Sequence, residues 1–419
     1  MINRLFLLLI IAALVVSCGR ENFVSSSVSK QQFLLDSLFS DMAEKGMFNG
    51  NVLIADSDSV IFEKSYGLAD YKTGDTINRN TVFELASVSK QFTAMGIVQL
   101  KRENRLAYSD TIGKYIPELA FYSGVTIHDL LIHTGGLPDY MDLAERYWDR
   151  SKIASNDDII DLFEHYRPER IFKPGDRWVY SNTGYLILAT IIERVSGKTF
   201  EEYLKDKIFI PLGMQNTFVY RRWYSPQEVT NYAKGYIFSD SLKREVTPSE
   251  DTNYQNTVYL DGIVGDGMVS SNVDDLLKWD QALYGTGLLS EEDKRDIFSS
   301  YQLNDSKETR YGYGWGVYKN KHYGSIYFHS GEWAGYETYI ERHTDNKKTV
   351  IVLQNSSVSG GYIPIKHIRK IMYNQSIEKE VNVAVDILKK YAGVYQNRKG
   401  REYNIILLNG TLMFDVNPE

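Results

Sequence analysis

Three tetrapeptides in this chain place a lysine three residues after a serine: Ser27-Val28-Ser29-Lys30, Ser87-Val88-Ser89-Lys90 and Ser376-Ile377-Glu378-Lys379. The spacing matters because a serine hydroxyl is a poor nucleophile until a base takes its proton, and a lysine shielded from water can serve as that base. Residues three apart share a face of a helix, so the first serine of each copy is the one that can meet the lysine. Such a pattern arises cheaply, and context has to choose among the copies.

The first copy lies in a serine-rich stretch, VSSSVSKQQ, that reads as a flexible tether. Ser29 is followed by Gln32 and then by Phe33, Leu34, Leu38, Phe39 and Met42, the pattern of a helix N-cap with its capping-box partner and an apolar face. The third copy sits in a charged stretch, QSIEKEVN, and reads as a linker. The second follows a hairpin pattern, GNVLIADSDSVIFEKSYGLAD, and opens a segment rich in Phe92, Ala94, Met95, Ile97, Val98 and Leu100, which predicts a buried helix. Ser87 at the start of that helix would have the partial positive charge of the helix end beside any anion formed on an attacked carbonyl. A serine that only caps a helix, followed by a lysine that reaches the surface, would present the same residues, so the pair needs partners elsewhere.

Two further segments supply candidates. Tyr180-Ser181-Asn182 lies in FKPGDRWVYSNTGYLILATIIERVSG, between a Pro-Gly turn and a strongly apolar helix, where side chains can face a cleft. Tyr-x-Asn also occurs at Tyr254-Gln255-Asn256 and Tyr395-Gln396-Asn397, which read as loop and strand residues. In SIYFHSGEWAGYETYIERHTDNKKTVIVLQN, strands flank a polar turn at Thr344 to Lys348, and His329-Ser330-Gly331 ends the first of them. Small residues there would let a substrate backbone lie along the strand edge. A second His-x-Gly, His133-Thr134-Gly135 in LLIHTGGLPDY, reads as a helix end with Gly135 or Gly136 as the C-cap.

Taken in this order with their surroundings, SVSK, YSN and HSG resemble the serine β-lactamase and penicillin-binding-protein superfamily, in its class C β-lactamase-related branch. LLIHTGGLPDY, PGDRWVYSNTGY and GDGMVSSNVDDLLKWDQALYG at residues 265–285 are in the style of that branch, and the resemblance spans residues 31–375. It implies an α+β fold of the β-lactamase/transpeptidase type: an antiparallel sheet flanked by helices, drawn from residues near 48–68 and 310–356, with a mostly helical insertion over about 115–255. It further implies that Ser87 is the acylated nucleophile, that Lys90 and Tyr180 form the proton-transfer pair, and that Asn182 bonds the substrate amide. His329, Ser330 and Gly331 would line the substrate, and the backbone N–H groups of Ser87 and Glu332 would form the oxyanion hole. Neither metal nor cofactor is implied.

His329 departs from the pattern, because the third motif of β-lactamases and many penicillin-binding proteins begins with a lysine whose charge helps to hold a substrate carboxylate. A histidine, with an ordinary pKa near ~6.5, is a weaker anchor for an anion. The expectation is a serine hydrolase working through an acyl-enzyme on an amide, a peptide (including D-amino-acid or cell-wall peptides) or an ester. The alternatives are a β-lactamase and a non-catalytic, lipid-anchored ligand-binding protein of the same fold.

Composition sets the frame. The 419 residues, 43% apolar and 24% charged, suit a large globular core with an appendage. A net charge of -7 and the lack of a basic, aromatic-interleaved stripe argue against a nucleic-acid partner. No H-E-x-x-H, G-x-S-x-G or G-x-x-x-x-G-K-[ST] motif occurs. At the N-terminus, Arg4 precedes an apolar run from Leu5 to Val16, too short for the ~20 residues of a membrane span but suited to a signal-peptide core. The run ends in Val15-Val16-Ser17-Cys18, which resembles the bacterial lipoprotein signal with Cys18, the chain's one cysteine, as the lipidated residue. An uncleaved signal anchor is the other reading of this segment. The expected organisation is a signal peptide over 1–17, a tether over 18–30, a catalytic domain over 31–375, and a linker with a partial C-terminal β-domain over 376–419. Asn409-Gly410 predicts a hairpin turn in that last segment, where too few residues follow to close a barrel. The expected partners are a small-molecule or peptide substrate and a bacterial membrane reached through the lipid, on its periplasmic or cell-surface face. The oligomeric state is left open.

Overall fold

A computed structural model describes residues 28–57, 59–356, 362–377, 383–396, 402–408 and 410–415. Cys18, Ser27, Glu378, Lys379, Asn397 and Asn409 lie outside these described residues. The described chain forms two compact units, one starting at Asn49 and the other joining the residues up to Phe48 with those from Tyr362 onward.

The larger unit is built on a six-stranded antiparallel sheet. Its strands are β1 (Gly50–Asp56), β2 (Ser59–Tyr66), β3 (Gly316–Asn320), β4 (Gly324–Trp333), β5 (Tyr336–His343) and β6 (Lys348–Gln354), in the spatial order β3-β4-β5-β6-β1-β2. The two ends of this unit meet where β1 pairs with β6, from Gly50 opposite Gln354 to Asp56 opposite Lys348. Val52, Leu53 and Ile54 on β1 and Val350 to Leu353 on β6 are fully buried, so these central strands have no solvent face and read as continuous apolar runs. The expected strand regions near 48–68 and 310–356 coincide with this sheet.

Three helices position the chemistry: α1 (Lys90–Arg102), α2 (Asn182–Ser196) and α3 (Val273–Ala282). α1 is apolar on nearly every side because it is enclosed; Phe92 lies between Trp279 of α3 and Phe209, with ring centroids 4.7 and 5.5 Å away. Gly96 allows α2 to approach α1, since a Cβ there would stand 2.7 Å from Ile192 Cδ1. α2 starts at a Ser181 cap, buries every residue from Thr183 to Ile192, and stops at Gly197 in the left-handed conformation. The stretch between sheet halves is mainly helical, with further helices at Ile127–Leu131, Tyr140–Tyr147 and Asn156–Tyr166, and a small hairpin at Ile237–Ser239 and Arg244–Val246.

In the smaller unit residues 28–44 are helical, and Ser29 is one of the helical residues rather than the cap that precedes them. Gln31 Nε2 donates to Met372 O (3.0 Å) on the helix Ile365–Met372. A three-stranded antiparallel meander follows, Gly393–Gln396, Glu402–Leu408 and Thr411–Asp415, with Leu408 opposite Thr411 at the hairpin end. Among the described residues no helix is long and apolar enough to cross a membrane.

Candidate active site

The turn that presents Ser87 is held from three directions. Phe83 and Glu84 pair with Ser271 and Ser270, and the Leu85 N–H donates to Val269 O at 2.8 Å. Thr338 of β5 donates its hydroxyl to Leu85 O at 2.7 Å. Gly331 of β4 packs so closely that a Cβ there would stand 2.2 Å from Leu85 O. Between these restraints Ala86 takes φ +47, a left-handed conformation that costs a non-glycine residue about 1–3 kcal/mol. The chain then makes one 3-10 turn, Ala86–Ser89, and enters α1 at Lys90. Residues i and i+3 eclipse in such a turn, which sets Lys90 Nζ 3.0 Å from Ser87 Oγ. The intervening Ser89 is fully buried and accepts the Val269 N–H at 3.1 Å, a purely structural bond.

Lys90 has no solvent exposure. Its Nζ donates to Asn182 Oδ1 and to the backbone O of Asp266, each at 2.8 Å. Both partners can only accept there, so the remaining Nζ valence faces Ser87 Oγ, as an N–H in the ammonium or a lone pair in the amine. The Nζ also lies 4.9 Å from the Tyr180 ring centroid and 5.6 Å from that of Tyr185, within range of cation–π attraction. The Asp266 carbonyl is delivered by a glycine turn: Gly265 has φ +107 and would place a Cβ 2.3 Å from Tyr185 O. The Asp266 carboxyl points to other duties, accepting the Tyr140 hydroxyl at 2.9 Å, and burial raises its pKa.

The second motif straddles a helix start. Ser181 Oγ accepts the Gly184 N–H at 3.1 Å as the cap of α2, which makes Asn182 the first helical residue and turns it toward Lys90. Tyr180, one residue before the cap, is 37% exposed. In the third motif His329 is buried, with Nδ1 2.6 Å from Ser330 O and Nε2 2.8 Å from the Tyr311 hydroxyl. A carbonyl only accepts, so Nδ1 carries the proton and Nε2 accepts from Tyr311. Burial, reinforced by the nearby Lys90, depresses the His329 pKa to about 3, and the ring is neutral at pH 7. Ser330 and Glu332 are exposed along the same strand.

The structure thus gathers Ser87, Lys90, Tyr180, Asn182, His329 and Gly331 around one point, from segments far apart in the chain. It also brings in residues the sequence reading passed over. His133, read as part of a helix end, does follow the helix Ile127–Leu131 at φ +62, yet its ring centroid lies 4.4 Å from that of Tyr180, tilted by 40°, and its Nδ1 accepts the Ser181 N–H at 3.1 Å. Tyr311 and the Asp266 carbonyl are likewise new. Beside the third motif lies a small cavity lined by Glu84, Arg222, Asp261, Trp333 and Tyr336, in which burial pushes the Glu84 carboxyl up to about 7. Tyr254 ends a short 3-10 turn and Tyr395 lies in the C-terminal meander, both as the sequence suggested. Among the described residues no three His, Cys, Asp or Glu side chains converge as metal ligands would.

A Ser-x-x-Lys pair at the start of a buried helix, a Tyr-x-Asn at a helix cap and a His-x-Gly strand edge on this α+β scaffold define the β-lactamase/transpeptidase fold and its serine centre. Residues 35–369 match the Beta-lactamase family, and the chain belongs to that family of serine hydrolases, which includes penicillin-binding-protein homologues. It is 38% identical over 394 residues to Penicillin-binding protein 4* of Bacillus subtilis, covering 91% of this chain and 87% of that one. The octameric penicillin-binding-protein homologue from Pyrococcus abyssi has a similar structure, with a TM-score of 0.70 and 27% identity over 91% of this chain and 86% of that one. The D-amino acid amidase from Ochrobactrum anthropi shares the fold, with a TM-score of 0.66 and 21% identity over 83% of this chain and 99% of the amidase.

Proposed function

We propose that this protein hydrolyses an amide, peptide or ester through an acyl-enzyme on Ser87, with a substrate that needs no anchored carboxylate. The observation that carries the reading is Lys90 Nζ, fixed by two acceptors so that its third valence faces Ser87 Oγ. Ser87 Oγ bonds to the substrate carbonyl carbon and gives its proton to the Lys90–Tyr180 pair. The oxyanion is held by the Ser87 and Glu332 backbone N–H groups, an interaction worth ~10²–10³ in rate for each donor. As the C–N or C–O bond breaks, the leaving group takes the proton from the same pair. Water then attacks the ester, loses a proton to the pair, and Ser87 Oγ leaves and recovers it. Asn182, close to Lys90, bonds the substrate amide, and Ser330 and Gly331 let the substrate backbone lie along β4.

The neutral His329 favours this reading over a dedicated β-lactamase, because a neutral ring offers a carboxylate no ionic partner. The amidase neighbour, alike in fold, agrees with amide chemistry. We also propose export and anchoring through a lipid on Cys18, which the mass of the mature N-terminal peptide would reveal.

The test is the intact mass of the full chain after treatment with a fluorophosphonate, beside Ser87→Ala and Ser27→Ala. One adduct that survives Ser27→Ala and vanishes in Ser87→Ala supports the nucleophile. Well-folded protein that takes no adduct would move the assignment to ligand binding without turnover, and penicillin turnover at rates typical of resistance enzymes would restore the β-lactamase alternative.

A further inference from the structure

Tyr180 stands in a segment, 171–181, that has no helix or strand of its own. The segment is docked on the turn that follows the helix Ile127–Leu131: the Ile171 N–H donates to Gly136 O at 2.8 Å and the Gly175 N–H to Thr134 O at 3.0 Å. Closer to the site, the Val179 N–H donates to His133 O and the Ser181 N–H to His133 Nδ1, each at 3.1 Å. The amides on either side of Tyr180 therefore end on one residue. The His133 ring also lies 4.4 Å from the Tyr180 ring and 4.6 Å from that of Tyr311, whose hydroxyl donates to His329.

Holding this arrangement has a cost. Accepting at Nδ1 leaves the His133 proton on Nε2, which is buried with no partner among the described residues. Buried donors left unpaired are rare in folded proteins and call for a reason. A helix end needs no imidazole, and a glycine at φ +62 would be unstrained. We infer that His133 is a positioning residue that clamps the backbone on both sides of Tyr180 and packs its ring, so that the phenol is presented to Lys90 and Ser87. Only a neutral imidazole can accept at Nδ1; burial and then the charge of Lys90 keep its pKa well below the ordinary value. The effect on rate rests on Ser87 being the nucleophile, whereas the effect on the Tyr180 backbone does not.

Both are measured on the full chain: the rate of fluorophosphonate labelling by intact mass, and residue-resolved amide hydrogen exchange at Val179 and Ser181. In His133→Ala, labelling should slow ~10²-fold through loss of orientation, while Ser181 exchange rises at least ~tenfold and Val179 stays protected. His133→Asn, which tolerates the left-handed backbone and offers an oxygen to the Ser181 N–H, should recover labelling to within ~tenfold of the unsubstituted chain and restore protection. The clamp is refuted if Ser181 in the unsubstituted protein exchanges as freely as an unstructured amide, or if a folded His133→Ala labels within ~threefold of it. It is equally refuted if His133→Asn, once folded, leaves Ser181 unprotected. Protected Ser181 in a chain that takes no label would uphold the clamp and overturn the hydrolase assignment instead.

Discussion

Two buried imidazoles pack against Tyr311, and they are held in opposite ways. His329 belongs to β4, where the ladder with β5 places it opposite Ile340, and both ring nitrogens are paired, to Tyr311 and to Ser330 O. His133 belongs to a turn, in a left-handed conformation, with one ring nitrogen paired and the other without a partner among the described residues. Both rings are neutral for the same causes, burial first and the Lys90 charge second. A residue placed by a sheet ladder leaves its side chain free to satisfy itself. A residue in a turn has no ladder, and its side chain becomes the restraint at the expense of one of its own hydrogen bonds.

The largest expected effect breaks what the two imidazoles share. Lys90→Ala should slow fluorophosphonate labelling ~10³–10⁴-fold, at the upper end for a proton-transfer group, and should leave Asn182 Oδ1 and Asp266 O without their donor. Labelling within tenfold of the unsubstituted chain would mean that another group takes the Ser87 proton. Gly331→Ala strikes the ladder side alone, because the new Cβ would meet Leu85 O at 2.2 Å and Thr338 Oγ1 at 2.3 Å. It should separate β4 from the nucleophile turn and lower the labelling rate ~10²–10³-fold, as for a lost oxyanion donor, with Ser181 exchange unchanged.

A smaller effect sharpens the electrostatic half of the comparison. With its folded pKa depressed to about 3, His329 binds its proton less readily in the folded chain than in the unfolded one, where the value is near 6.5. Folding stability should therefore be insensitive to this ring above pH 6.5 and should fall as the pH drops from 6.5 toward 3, by up to ~1.4 kcal/mol per unit. Urea unfolding of His329→Gln between pH 7.5 and 4.5 should show a shallower loss than the unsubstituted chain; parallel curves would place the protonation elsewhere. The least effect on chemistry is expected for Ser89→Ala, which removes the acceptor of the Val269 N–H. That change should destabilise the fold by ~1–3 kcal/mol, the cost of a buried unpaired amide, while labelling stays within ~threefold.

Much of this was legible in the residues. Apolar neighbours distinguished the SVSK at Ser87 from the other two copies, and in the copy so chosen serine and lysine meet. The alternation and apolar runs in 50–66 and 324–354 marked the sheet, and the run from Tyr185 to Ile192 marked α2. His133 does end a helix as read, but its contact with Tyr180 went unseen because a helix end followed by glycines is explained locally, and nothing local signals that its ring meets a tyrosine nearly fifty residues on.

By itself, then, the amino-acid sequence determined which segments become buried helices and strands, in what order the three motifs come, and which of the three Ser-x-x-Lys copies opens an apolar helix. Those properties depend on neighbours within a few residues, where periodicity and cap chemistry act. Only the tertiary structure decided that the Asp266 carbonyl orients Lys90, that Tyr311 donates to the buried His329 ring, that Gly331 must lack a side chain beside Leu85, and that His133 brackets Tyr180. Each of these joins an atom to a partner far along the chain, and a hydrophobic period reports which face of an element is covered, never which atom covers it.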